Sequence, residues 1–327
     1  KPGEVIQDVT VVIRDGRIES VGKGEAPAGA KVWDCTGLQV YAGFIDPFVE
    51  VDAPAPDRSA PGVHWNAKVT PQRNALDGTG VDERTAESMR KLGFTAAAIS
   101  PRGGLFRGSA AVVSLAKPAS ELSTDRPPVF VKNVYQVIGF ESGRGFGGER
   151  PVVDTPSPAT PAAPRQQESP DISRWSRYPD SQMGAIALMR QTLIDADWQL
   201  EARKSGAVLA TNCLDTLTDT GNGNGFAVSR ETIELKRGPA LWFDTSDELE
   251  ELRAAKIARE FGREAVIIGT GTEYQRLDAI KADGLMIVVP LNYPRTPDVA
   301  GIGKAESVDL RDLMAWEQAP TNPRRLE

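Results

Sequence analysis

Three acidic residues stand near the ends of stretches that the sequence predicts to be β-strands. Glu50 lies near the end of an apolar run, and Asp244 directly follows Ala240–Phe243. Glu273 comes a few residues after Ala265–Gly269. In a parallel barrel the carboxyl ends of the strands carry the active site, so these three are the candidate catalytic residues. An all-carboxylate site could hold a hard cation such as Mg²⁺ or Ca²⁺, or could work as acid and base.

Histidine is nearly absent from the chain, and this limits the metals that it can hold. The 327 residues include one histidine, His64, in a proline-rich loop. Zinc-type centres depend on several neutral imidazoles, which one histidine cannot supply. Cys35 and Cys213 are far apart and lack metal-ligand spacing, so we expect unpaired, small apolar residues. We therefore predict no zinc-type metal ligands and no bound cofactor.

Charge and hydropathy restrict the class of partner. The net charge is −7 and the pI is about 5.1, and no Lys/Arg cluster forms a basic stripe, which argues against a nucleic-acid partner. The sequence has no apolar run of about eighteen residues, so no membrane span is expected. A small-molecule substrate or ligand is the expected partner, and a homo-oligomer stays open. The chain starts without Met inside a hairpin-like pattern and stops in what looks like the middle of a helix. We therefore expect a fragment that lacks its C-terminal part, and we assign no compartment.

The first third of the chain predicts a hairpin followed by a strand–helix–strand unit. Val11–Gly22 contains two alternating runs joined at Asp15-Gly16, a strong hairpin signal. Val40–Asp52 predicts a short turn and then a buried strand. A helix over 82–92, closed by a glycine, leads into the predicted strand Phe94–Ser100.

The last third alternates regularly between strands and helices. Predicted strands are Ala240–Phe243, Ala265–Gly269 and Leu285–Pro290, separated by helices that end near 261 and 282. A longer amphipathic helix precedes them, from about 185 to 202. This alternation predicts an α/β fold with a parallel sheet or barrel. A doubly wound nucleotide-binding fold is the alternative, but the opening hairpin argues against it.

Two loops need separate interpretation. Pro101–Gly108 is glycine-rich and could cradle a phosphate with Arg102 or Arg107, but it opens no helix and lacks a Walker pattern. A structural or substrate-facing loop is favoured. The stretch at about 143–180 is rich in Pro and Gly and poor in large apolar residues, so we predict an irregular, exposed insertion.

Two motifs resemble the metal-dependent amidohydrolase superfamily, in particular its imidazolonepropionase-like members. One is Gly43-Phe-Ile-Asp46 after the hairpin, and the other is Trp316–Leu326, which fits W-E-x-A-P-x-N-P-x-x-L. The resemblance implies that residues 1–39 contribute to a small composite β-sandwich. It implies a partial (β/α) TIM-like barrel over 40–327, and an activity on non-peptide C–N bonds.

The same resemblance implies that the metal site is degenerate. Phe48 and Glu50 take the two positions of the His-x-His motif, and Asp244 takes that of a later ligand histidine. The divalent metal of the family is thus expected to be absent. Metal-dependent activity is thus expected to be lost or altered. Three hypotheses remain: a non-catalytic barrel for ligand or protein binding, an active hydrolase that uses residues outside this fragment, and a hard-cation or acid–base site. Any hydrolase activity would use Glu50 or Asp244 as its base.

Overall fold

The computed structural model describes residues 5–15, 17–117, 128–140, 178–218, 238–291 and 293–327. The chain divides into two compact units, Lys1–Ala42 and Gly43–Glu327. The insertion predicted at about 143–180 lies outside the described residues, except for 178–180. Within the described ranges, no helix combines the length and the apolar character that crossing a membrane requires.

The first unit contains the predicted hairpin. Strand β1 (Thr10–Arg14) pairs antiparallel with β2 (Arg17–Gly22), with Thr10 opposite Gly22. Asp15, between the strands, has a positive φ of 51°, a conformation that aspartate tolerates in tight turns. The hairpin is confirmed. In the described part of this unit it forms a two-stranded sheet, so the larger β-sandwich stays a prediction.

The second unit is built on two sheets, and its α/β class is confirmed. The smaller sheet has the order β3 (Phe44–Val51), β4 (Phe94–Pro101), β6 (Ala111–Ser114), β7 (Val129–Val131). The larger has the order β5 (Phe106–Ser109), β8 (Gln136–Gly139), β9 (Leu241–Asp244), β10 (Ala265–Ile268), β11 (Met286–Val288). Strands β8 to β11 run parallel, β3 runs parallel to β4, and β5 joins the larger sheet antiparallel to β8. Within the described residues both sheets are open and no barrel closes.

The strand predicted within Val40–Asp52 is present as β3, but it is mostly half-buried, with Val51 as its one fully buried residue, so it is less buried than expected. Leu38, Val40 and Tyr41 are exposed, and residues 38–43 form no ladder. An apolar run alone does not distinguish a buried strand from an exposed connection.

The described helices are α1 (Glu83–Lys91), α2 (Gln182–Lys204), α3 (Asp215–Thr218), α4 (Glu248–Glu260), α5 (Leu277–Asp283), α6 (Ile302–Ser307), α7 (Leu310–Gln318) and α8 (Asn322–Leu326). Aspartate side chains cap two of them. Asp82 accepts a hydrogen bond from the Thr85 N–H and starts α1, and Asp247 caps α4 in the same way. Gly93, with φ of 94°, returns the chain from α1 into β4.

The two faces of the larger sheet differ in what they contact. Ile138, Phe243 and Ile267 belong to the main apolar core together with side chains of α2 and α4. Since successive side chains on a strand point to opposite faces, Val137 and Trp242 lie on the other face, which we call the inner face. They form a second apolar cluster there. The inner face supports the candidate site.

Candidate active site

Glu50 and Asp244 both lie at the carboxyl ends of parallel strands. Glu50 is paired with Ser100 at the end of β3, and Asp244, the last residue of β9, is paired with Gly139 of β8. Asp244 is two residues beyond Trp242 and therefore shares the inner face. The strand-end positions predicted from the sequence thus carry carboxylates at the edge where ligands bind in parallel α/β folds.

Arg107 joins these two carboxylates. Its Nη1 lies 2.8 Å from Oε1 of Glu50, and its Nη2 lies 2.7 Å from Oδ2 of Asp244. Its Nε donates to the carbonyl of Gly104 at 3.3 Å. The Arg107 side chain is 8% exposed, while those of Glu50 and Asp244 are 34% and 29% exposed. The centre is therefore a buried guanidinium between two half-buried carboxylates, at bonding distances typical of charge-assisted hydrogen bonds.

Local backbone geometry directs Arg107 to this place. The pairing of β5 with β8 is irregular between Phe106 and Gly108, so Arg107 lies at a bulge. Bulges re-aim side chains, and they are frequent beside active sites. Next to the bulge, at the end of β8, Gly139 has no side chain, and a Cβ built there would meet the guanidinium. The site thus depends on a long-range strand pairing and on one glycine.

Two further arginines surround the bridge. Arg102 lies 3.8 Å from Oε2 of Glu50 and 3.3 Å from Asp52, and its side chain is 57% exposed. Arg73 donates to the carbonyls of Ala53 and Arg102 at 2.7 and 3.0 Å, and so ties the loops after β3 and β4 together. Burial and the charge of Arg107 lower the pKa of Arg73. Among these groups Arg107 is the most deeply buried cation.

An apolar layer lies next to the charged residues. Phe48 packs in the inner cluster beside Tyr135 and Trp242, whose rings stack with centroids 3.9 Å apart. The Tyr135 hydroxyl donates to the carbonyl of Pro47 at 2.7 Å and lies 3.2 Å from Oγ of Ser100. Burial raises the pKa of Tyr135, so the hydroxyl stays neutral at ordinary pH. Phe48 therefore contributes packing to the site.

Glu273 has different neighbours. It is fully buried, and its Oε1 accepts hydrogen bonds from the N–H groups of Thr270 and Gly271 at 2.8 and 3.0 Å. Its Oε2 accepts from the side-chain amide of Asn322. The structure brings Glu50 and Asp244 together through Arg107. The two carboxylate oxygens of Glu273 are instead bound by the loop after β10 and by Asn322 of α8.

The histidine and the two cysteines lie outside this centre. His64 accepts the N–H of Asn66 on Nδ1 at 3.0 Å, and burial lowers its pKa. Cys213 is buried, which raises the pKa of its thiol, and Cys35 is exposed. Both cysteines are free thiols.

The residues at the centre do not fit a zinc-type metal. Phe48 has no lone pair and is packed among apolar side chains. Glu50 and Asp244 each give an oxygen to Arg107, whose positive charge would repel a metal cation placed between them. Zinc sites are built from neutral imidazoles or thiolates with few carboxylates. The donor set and the resident guanidinium both disagree with the centre that the amidohydrolase resemblance implies.

Arg107 is the residue of the centre that sequence reasoning did not place there. The glycine-rich loop was predicted to be structural or substrate-facing, with anion binding by Arg102 or Arg107 as the less favoured alternative, and the guanidinium of Arg107 binds two carboxylates of the protein itself. Its partners are distant in the chain, Glu50 by 57 positions, and no local motif announces such a pairing.

Comparison with known proteins supports the fold. No family model matches the chain, and no curated protein matches it. A solved structure, an amidohydrolase from Thermotoga maritima MSB8, is similar with a TM-score of 0.53 and 16% sequence identity. The match covers 94% of this chain and 71% of that chain. At this identity the likeness concerns the fold alone.

Proposed function

We propose that this chain is an amidohydrolase-like protein of the class that hydrolyses non-peptide C–N bonds, with a centre that works without a zinc-type metal. The observation that carries the proposal is the Glu50–Arg107–Asp244 bridge at the carboxyl ends of β3 and β9. The likeness of the fold to a solved amidohydrolase supports the reaction class. The bridge supports the altered chemistry.

In this proposal the carboxylates take over water activation. A guanidinium stays protonated in proteins and offers only N–H donors. Arg107 therefore cannot coordinate and activate a water molecule as a metal ion would, and it cannot take a proton from water as a base. Glu50 and Asp244 are the groups that can accept a proton from water. Arg107 engages one oxygen of each, and both side chains keep about a third of their surface exposed toward solvent. The substrate would lie at this edge of the sheet, close to the Arg107 bridge.

A second candidate function is ligand binding without turnover. It is favoured by the ion pairs themselves, because each carboxylate already gives one oxygen to Arg107 and that oxygen is not free to accept a proton from water. A site of this kind can still bind a small polar molecule through Arg102, Glu50 and Asp244 at the strand ends.

The test combines metal analysis with activity. Purified protein is analysed for zinc, manganese and iron, and then assayed with cyclic amides, cyclic imides and ureides before and after chelator treatment. We expect substoichiometric metal and hydrolysis that is insensitive to chelator and lost in Glu50→Gln or Asp244→Asn. About two equivalents of metal with chelator-sensitive turnover would contradict the proposal. Saturable binding of a panel compound without turnover would favour the second candidate.

A further inference from the structure

Arg107 has the surroundings of a bound cation. Its guanidinium lies between two carboxylates at 2.8 and 2.7 Å, and its side chain is 8% exposed. A planar guanidinium presents its donors in a fixed fork, so one group can serve two carboxylates at once. Two carboxylates that lie this close to one cation would repel each other if that cation were removed.

The protein backbone is shaped to hold this cation. Gly104 supplies a carbonyl to Nε, and Gly139 leaves the space that the Nη2 end occupies. Arg102 is a useful contrast, since it approaches the same Glu50 at 3.8 Å from a side chain that is 57% exposed. Exposed ion pairs of this kind contribute little, whereas a buried charge depends strongly on its partners.

We infer that Arg107 is a resident cation, which offsets one of the two negative charges of Glu50 and Asp244 and keeps divalent metal ions away from them. The inference rests on the proposed function, because that proposal is what makes this centre important. It concerns cation binding and charge, and not turnover. It implies that removing the guanidinium creates a gap that accepts a free guanidinium ion, or a hard divalent cation held by carboxylate oxygens.

The experiment compares the unmodified protein with Arg107→Ala, Arg107→Met and Arg102→Ala. Alanine leaves a gap and deprives both carboxylates of their buried cation, whereas methionine removes the charge but fills the gap. Thermal unfolding is measured in low millimolar guanidinium chloride and, as the ionic-strength control, in NaCl at the same concentration. Mn²⁺ binding is measured by electron paramagnetic resonance. Neither readout depends on hydrolysis, so absence of turnover would count against the proposed function and leave this inference standing.

We expect guanidinium to raise the Tm of Arg107→Ala and to leave the other three proteins unchanged. Mn²⁺ should bind Arg107→Ala about tenfold or more tighter than the unmodified protein or Arg102→Ala. Adding Glu50→Gln and Asp244→Asn to Arg107→Ala should abolish that gain. A folded Arg107→Ala with neither response would overturn the inference, as would equal Mn²⁺ binding by the unmodified protein. If Arg107→Ala does not fold alone, recovery of the fold by guanidinium supports the inference and failure to recover overturns it.

Discussion

Gly139 at the end of β8 lies directly against the guanidinium of Arg107. A Cβ built on Gly139 would stand 2.9 Å from Cζ of Arg107 and nearer still to Nη2. Real Cβ atoms are not found so close to other heavy atoms, so the absence of a side chain at 139 is a condition for the bridge to Glu50 and Asp244. The glycine is therefore required by the packing of the charged group.

Gly139→Ala should consequently move Arg107 and weaken both of its ion pairs. We expect a loss of about 1–3 kcal/mol in the free energy of unfolding, as for other overpacked buried sites. Urea unfolding followed by circular dichroism measures this. Gly22→Ala is the matched control, because Gly22 also ends a strand and a Cβ there meets nothing within 4 Å. A stability of Gly139→Ala equal to that of the control would show that the guanidinium does not occupy this space.

The Tyr135 hydroxyl gives a second prediction, on the apolar side of the site. Tyr135→Phe keeps the stack on Trp242 but removes the donor to the Pro47 carbonyl and the contact with Ser100. Losing this partly buried hydrogen bond should cost about 0.5–1.5 kcal/mol of unfolding free energy. Tyr293→Phe, at an exposed position, is the control. If both variants unfold at the same urea concentration, the buried hydrogen bond contributes nothing.

The sequence predicted helices and strands correctly where the interactions that define them join residues close to each other in the chain. Helix α1 was expected because a glycine closes the predicted helix over 82–92, and α4 because a helix ending near 261 separates two predicted strands. Asp82 and Asp247 cap these helices in the structure. The positions of Glu50 and Asp244 followed from strand ends. In each case the deciding interaction lies within a few residues of the chain.

Sequence reasoning was insufficient where distant strands decide the contacts. The position of Arg107 depends on the pairing of β5 with β8 and on a bulge, neither of which a local pattern encodes. Glu273 was grouped with Glu50 and Asp244 from its place after β10. Its Oε1 is instead bound by the adjacent Thr270 and Gly271 N–H groups, a local loop geometry that its strand-end position does not reveal.

A buried carboxyl pair lies in the same loop region. Glu251 of α4 is 2% exposed, and its Oε1 lies 3.3 Å from Oγ1 of Thr270. A small cavity of about 10 Å³ lies beside it, lined also by Ile267 and Ile280. Burial first, and then the charge and hydrogen bond of Glu273, raise the pKa of Glu251 from 4.5 to about 9. Glu251 is therefore protonated at neutral pH in the folded protein.

This pair makes the stability depend on pH. Between pH 4.5 and about 9 the folded protein keeps a proton on Glu251 that the unfolded chain has released. The stability that the protonated carboxyl contributes is fully present below pH 4.5, and it is lost as the pH rises toward 9, by at most about 1.4 kcal/mol per pH unit.

Glu251→Gln, which carries no titrating proton, should remove this dependence. Its advantage over the unmodified protein should grow from pH 5 to pH 9 when unfolding free energies are measured by urea titration. Glu87→Gln, at an exposed position on α1, should keep the original pH dependence. A constant difference between Glu251→Gln and the unmodified protein across this range would show that Glu251 ionises alike in both states.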